Sequence, residues 1–296
     1  MIIPKAKLDK LLWDERVLKS KPEGFFFMLS WYLDVVAPEW EAYVIGEYEA
    51  IYPIVAQKKF VFNYTIMPFL TRTFYPIGFN SSQMVELDYY LKRRFSYIQL
   101  SGLMLKSFTK KTLRQYQNLD LSNYSLENCS ENHRRQYKKA SKQGFILVEN
   151  SNPEILIKLF NKVKGEELNH LNEAHYIILE NLMIQARNKG FLKQYSLSSG
   201  SVLIGAAAYI VIEDQALYLK GAVEPAFMKD GAMVYLHFQS IKSLGEHIRQ
   251  LDFGGSNAKG LGDFNRKFGA RNIEYLHLTL NKLIWPISWF FKNKFG

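Results

Sequence analysis

Apolar residues recur at helical spacing over Leu8 to Leu18, and this is the first amphipathic segment of the chain. From Trp40, "WEAYVIGEYEAIYPIVAQKK" places two β-patterned runs either side of Gly46 to Tyr48, predicting two strands and a turn. After the irregular aromatic stretch "YTIMPFLTRTFYPIGF", Ser81 or Ser82 can cap a helix reaching about Phe95, and "SYIQLSGL" reads as a strand. Ser130 can cap a helix stopped by Gly144 before the strand "FILVE". Asn152-Pro153 opens another helix, and a third spans roughly Glu173 to Lys189 with Gly190 as its stop. The densest β pattern follows in "FLKQYSLSSGSVLIGAAAYIVIEDQALYLKGAV", three strands divided at Ser199-Gly200 and Glu213-Asp214. Met233, Val234, Leu236, Phe238, Ile241 and Leu244 then keep helical spacing, and "IRQLDFG" and "NIEYLHLTLN" supply the last strands. The fold class is α/β (α+β), with mixed, mostly antiparallel sheets flanked by helices. Hairpin, helix and strand over 40 to 102 are loosely echoed over 191 to 253, a weak structural duplication.

Composition adds bounds to this picture. A chain of 296 residues predicts about two domains, and 48% hydrophobic residues suffice for sizeable cores. No uncharged apolar run is long enough to span a bilayer as a helix, and the first residues, "MIIPKAKLDKLLWDER", lack a continuous apolar stretch. A soluble, cytoplasmic protein is expected. Cys129 is the single cysteine, which excludes an intrachain disulfide and a Cys-rich metal site. The 38 basic and 28 acidic residues give a net charge of +10, which favours anionic partners. His170 and His175 stand five apart near Glu166, Glu167 and Glu173, a spacing that puts the two histidines on different faces, so no metal is expected.

The stretch "LDFGGSNAKGLGDFNRKFGA", 251 to 270, carries five of the eighteen glycines, together with three incomplete phosphate motifs. Asp252-Phe253-Gly254 lacks the upstream kinase catalytic loop. Lys259 is followed by glycine, where a Walker A loop needs a hydroxyl, and Asn265 stands where a dinucleotide fingerprint needs its third glycine. The segment reads as a flexible or tightly turned connection.

Four segments together resemble a known family: "HRRQYKKASKQGF" (133 to 145), "VLIGAAAYIVIEDQALYLKGA" (202 to 222), "KDGAMVYLHFQSIKSLGE" (229 to 246) and "LDFGGSNAKGLGDFNRKFGARNIEY" (251 to 275). They are similar to the Fem-like branch of the Gcn5-related N-acyltransferase (GNAT) superfamily, which includes the BioF2- and CelD-like acetyltransferases. The resemblance implies two tandem GNAT-like domains, a degenerate one over 1 to 130 and a donor-binding one over 131 to 296. It also implies an acyl-CoA, such as acetyl-CoA, or an aminoacyl-tRNA as donor, transferred to an amine of an anionic cell-envelope or polysaccharide precursor. The donor's pantetheine would pair with "ALYLKGA", with Lys220, Gly221 and Ala222, and its pyrophosphate would sit at Lys229, Gly231 and Ala232. Met228 and Met233 depart from the usual donor loop, and Asn265 takes the slot of a lysine common in peptidoglycan-bridge enzymes.

Amine attack on a thioester or ester carbonyl needs a proton acceptor and an oxyanion donor. Glu224 or Asp252 fits the first role and Asn265 the second, with Asp263 nearby in sequence. Arg134, Lys138 and Lys142 align at helical spacing beside Arg135 and Lys139, either a solvated face or an acceptor-holding ridge for phosphates or tRNA. The tail "LIWPISWFFKNKFG" is expected to dock on its own domain or a dimer partner; the alternative is an anionic membrane interface at the inner face of the membrane. A different class of function is a non-catalytic GNAT-like scaffold that binds tRNA, other nucleic acid or anionic lipid. The two are separated by whether an acyl donor binds.

Overall fold

The computed structural model describes residues 1–105, 107–108, 110–164, 172–255 and 259–295. The chain opens with β1 (Ile2–Pro4), α1 (Lys10–Ser20), capped by the Asp9 carboxylate on the Leu11 and Leu12 amides, and α2 (Ser30–Val36). Next come β2 (Glu41–Ile45), β3 (Ala50–Ile54), β4 (Gln57–Lys59) and β5 (Phe62–Ile66). The helix α3 (Ser81–Arg94) is capped by Asn80, one residue before the expected serine, because Asn80 and Gln83 close a reciprocal capping box. It leads to β6 (Tyr97–Ser101) and then to β7 (Lys110–Asp120), a long strand whose mixed charges hide it from a periodicity reading.

The second half follows the expected order closely. It comprises α4 (Glu131–Ala140), β8 (Phe145–Asn150), α5 (Pro153–Lys164), α6 (Glu173–Asn188), β9 (Leu192–Ser199), β10 (Val202–Ile212), β11 (Gln215–Val223), α7 (Ala232–Ser243) and β12 (Gln250–Asp252). The glycine-rich stretch is not wholly loop: α8 (Lys259–Arg266) lies within it, and the sequence reading missed it. Gly260 and Gly262 mask a helix whose Phe264 packs against the core beside Phe268. Then β13 (Arg271–Asn281) and α9 (Ile287–Phe295) complete the chain. Among the described residues, no helix is long and apolar enough to cross a membrane.

The chain divides into two compact units, Met1–Arg114 with Glu274–Gly296, and Gln115–Ile273. The division therefore falls before the expected 130/131 boundary, and the last residues return to the first unit. In the first unit β1, β2 and β3 form one sheet, while β4, β5, β6 and β13 run side by side in another. There β4 and β5 are antiparallel, β5 and β6 are parallel with α3 between them, and β13 is antiparallel to β6. The second unit has the order β7-β12-β11-β10-β9-β8. Its β10 and β11 are antiparallel, β11 and β12 are parallel with α7 between them, and β7 is antiparallel to β12. Each unit thus repeats hairpin, crossover helix, parallel strand and closing strand. The hairpin in this repeat is β4–β5, not the one turning near Gly46 to Tyr48 read from the sequence, because β2 and β3 belong to the other sheet.

The second unit's core lies under α7. Leu197, Ile204, Ala207, Tyr209, Ala216, Val223 and Leu251 on the strands meet Val234, Leu236, Phe238 and Ile241 on the helix. The opposite sheet face is covered by α5 and α6.

Candidate active site

The strands β11 and β12 run together for three residue pairs only, Gln215 to Leu217 beside Gln250 to Asp252. Beyond Leu217 β11 continues to Val223, still hydrogen-bonded to β10 through Gly205 to Ala208, while β12 ends. Among the described residues, the other backbone edge of Tyr218 to Val223 has no strand partner. A bulge falls at the point of divergence: Tyr209 faces Tyr218 and Ala208 faces Lys220, leaving Leu219 as an extra residue. An unpaired edge of this kind can take an extended, amide-bearing ligand as an added strand.

That open edge leads directly to the N-terminus of α7. After the 3-10 turn Pro225–Asp230, Gly231 is the N-cap, at φ 81°, and no side chain caps the helix. Unmet amides and the positive end of the helix dipole are therefore gathered at Ala232 and the residues after it. The basic helix α4 packs beside this turn. A Cβ on Gly231 would lie 2.5 Å from the Gln136 carbonyl oxygen, and Lys139 pairs with Asp230 at 3.0 Å while donating to the Lys229 carbonyl at 2.8 Å. Arg134, Arg135 and Lys138 remain exposed on α4, Lys142 is exposed in the turn just after it, and Lys229 is exposed at the turn before α7. The ridge read as acceptor-holding thus borders the turn read as donor-holding.

The bulge decides which way the β11 side chains point. Tyr218 faces the α7 side, 4.9 Å from the His237 ring, and Gly221 leaves room for it, since a Cβ there would be 2.6 Å from the Tyr218 hydroxyl. Lys220 turns to the other face, with Nζ 5.8 Å from the Phe160 ring of α5. Burial holds the Lys220 ammonium below the usual lysine range. Ala222 is buried within the strand. Glu224, just past β11, pairs with Lys162 at 2.7 Å and lines a cleft of about 330 Å³ with Asn152, Glu154, Lys158 and Leu203.

Asp252 ends β12 in register with Leu217 and Asn118, so it lies on the face opposite Leu251 and α7, the face that Lys220 also uses. It is buried and accepts from the Gly254 amide at 2.8 Å. Asn265 is placed elsewhere. It is buried on α8 on the α7 side, where its Nδ2 donates to Gln117 Oε1 at 3.2 Å, and Gln117 in turn donates to Asn272 Oδ1 at 3.1 Å. The structure therefore brings Asp252 and Lys220 to one face and sets Asn265 on the other. Asp263, on the same helix as Asn265, is paired with Arg266. Asn265→Ala is expected to leave the Gln117 oxygen unpaired and to cost about 1–3 kcal/mol, read as a lowered denaturant midpoint at unchanged m-value.

Of the sequence-flagged metal candidates, Glu166, Glu167 and His170 lie outside the described residues; His175 is held in a capping box with Asn172. Cys129 is buried beside the Tyr124 hydroxyl, and burial raises its thiol above the usual range, so it is a poor nucleophile. A further feature of the site that sequence reasoning missed, besides β7 and α8, is the Leu219 bulge. Only the stretch of small residues opposite it, Gly205 to Ala208, hinted at a close approach there.

The acetyltransferase (GNAT) domain family matches residues 127–265. No curated protein sequence matches the chain. Among solved structures, FemX aligns at 13% identity and a TM-score of 0.67, over 96% of this chain and 98% of that one. A tandem GNAT protein from the clavulanic acid biosynthesis pathway aligns at 10% identity and a TM-score of 0.59, over 96% and 99%. L-PGS from Bacillus licheniformis aligns at 13% identity and a TM-score of 0.55, over 98% and 97%. Residues 127–265 match the acetyltransferase (GNAT) domain family, and the chain as a whole shares the fold of FemX and of the tandem GNAT protein.

Proposed function

We propose that this protein is an N-acyltransferase that moves an acetyl or aminoacyl group to an amine of an anionic cell-envelope or polysaccharide precursor. The observation that carries the reading is the divergence of β11 from β12, which leaves a free strand edge leading into the uncapped N-terminus of α7. The donor's amides would pair with Tyr218 to Val223, past Lys220, Gly221 and Ala222. Its phosphates would meet the amides at Gly231 and Ala232, with Lys229 beside them. Because α4 borders that turn, Arg134, Arg135, Lys138 and Lys142 extend the same anion-binding surface, for a donor's further phosphates or for those of the acceptor.

In the reaction, the acceptor nitrogen bonds to the carbonyl carbon, the C–S or C–O bond to the carrier breaks, and the nitrogen loses a proton. The carrier's sulfur or oxygen leaves with the bonding pair and ends protonated. Asp252, at the last position where β12 runs beside β11, suits the proton acceptor better than Glu224, which is engaged by Lys162.

Calorimetric titration with acetyl-CoA and with an aminoacyl-tRNA tests the reading; if neither binds, it fails. For whichever donor binds, Asp252→Asn is expected to hold the donor about as well as the unaltered protein while slowing transfer by about 10²–10⁴-fold. A second reading, a scaffold without turnover, draws on the contact of α4 with the α7 turn, which occupies Gly231 and Asp230 with protein contacts. Salt-dependent RNA binding without any donor binding would favour it.

A further inference from the structure

The C-terminal helix α9 docks on the first unit through Phe291. Phe291 is fully buried between Tyr64 of β5 and Tyr97 of β6, at ring distances of 5.3 and 5.4 Å, and Ile287 and Leu283 pack beside it. The expected docking of the tail on its own domain is thus accounted for by Phe291, Ile287 and Leu283. Among the described side chains, three other aromatics of this segment face outward: Trp285 is 80% exposed, Trp289 60% and Phe290 39%, next to Ile284 at 76%.

A second element adds to this surface. The hairpin β4–β5 turns at Phe60 and Val61, which are 76% and 80% exposed. Phe60 adopts φ 55°, the left-handed conformation that two-residue hairpin turns normally assign to Gly, Asn or Asp. A turn requiring this conformation thus holds a bulky apolar side chain out into solvent. The two elements meet at Lys59, whose Nζ sits 4.0 Å from the Phe290 ring and 5.9 Å from the Phe60 ring.

Charge selects the occupant. Residues 57 to 66 and 281 to 296 contain Lys58, Lys59, Lys282, Lys292 and Lys294 and no Asp or Glu. A second copy docking face to face would set lysine against lysine, so self-association is disfavoured. Tryptophan and phenylalanine interleaved with lysine, without acids, match a bilayer interface, where rings rest at headgroup depth and ammonium groups meet lipid phosphates. We infer that Phe60, Val61, Trp285 and Trp289 form an interfacial anchor that seats this protein on an anionic phospholipid bilayer. The inference stands independently of the acyl-transfer reading.

Flotation with phosphatidylcholine vesicles, plain or doped with phosphatidylglycerol, tests it. Recovery is expected with the doped vesicles only, declining with added salt, and falling about tenfold or more in Phe60→Ser/Val61→Ser and in Trp285→Ser/Trp289→Ser. These residues are exposed, so melting temperatures should not change. As a check that needs no variant, doped vesicles should shift the emission of Trp285 and Trp289 to the blue, since Trp13, Trp31 and Trp40 are already buried. Absence of vesicle binding, equal recovery of the variants, or a concentration-dependent dimer that the same substitutions abolish would each overturn the anchor.

Discussion

Gly231→Ala is expected to lower the stability of the second unit by at least about 2 kcal/mol, a drop of roughly 4–8 °C in melting temperature. Two costs combine. The first is backbone strain, because φ is 81° at this N-cap and an L side chain rarely adopts it. The second is packing: the new Cβ would lie 2.5 Å from the Gln136 carbonyl oxygen, a backbone atom that moves only if α4 moves. Gly190→Ala isolates the first cost, since Gly190 has φ 75° with no atom within 4 Å of the added Cβ. The excess loss in Gly231→Ala over Gly190→Ala therefore measures how tightly α4 seals the turn. If the two variants melt together, the close approach of α4 to α7 is not a stabilising contact. Because the same glycine begins the proposed phosphate turn, donor affinity should fall in Gly231→Ala and stay unchanged in Gly190→Ala.

Acidification is expected to unfold the protein within a window set by three histidines. Burial pushes His133 down to about 4, with Lys267 adding to the effect, and His237 down to about 3, with His133 adding to it. Burial, then Arg114 and Lys110, pushes His277 down to about 4. Unfolded, each titrates near 6.5. Between pH 6.5 and about 4 the unfolded chain therefore binds protons that the folded chain refuses, so stability is full above 6.5 and falls as the pH falls. The loss approaches about 1.4 kcal/mol per pH unit for each histidine. A decline that begins near pH 6, about two units above the ordinary carboxylate range, reports the histidines.

His237→Leu gives the sharper check. Its ring lies among Tyr218, Phe253, Phe264 and Phe268, and Nδ1 has no hydrogen-bond partner among the described residues. The variant should flatten the slope of denaturant midpoint against pH between 6 and 4, whatever its stability at pH 8. An unchanged slope would mean that His237 is protonated as readily in the fold as outside it.

Much of the second unit was legible because local signals agreed there. Asn152-Pro153 and Ser130 mark helix starts, Gly190 marks a stop, and the alternation through Val202 to Val223 marks a hairpin; each produced the element expected. The first unit was less legible. Aromatic residues are so dense between Phe25 and Tyr52 that they carry little periodicity, and α2 and the 3-10 turn at Phe25–Met28 are buried on nearly every side. The helix α8 was hidden for the opposite reason, since Gly260 and Gly262 oppose helix locally and are overridden by the packing of Phe264 and Phe268 around His133 and His237.

The sequence alone determined the α/β class, the order of elements from α4 to β12, the basic ridge on α4 and the likeness to the Fem-like enzymes. All of these depend on residues near one another in the chain. The tertiary structure decided what the ridge adjoins and which side chains share a face. By alternation alone Tyr218 and Lys220 would point the same way, but the bulge at Leu219 sends them to opposite sides of the sheet. Likewise Asp252 and Asn265, close in sequence, are separated because β12 ends at Asp252 and α8 carries Asn265 to Gln117 on the far face. A one-residue slip in strand pairing reverses every side chain beyond it, and that slip is set by the partner strand.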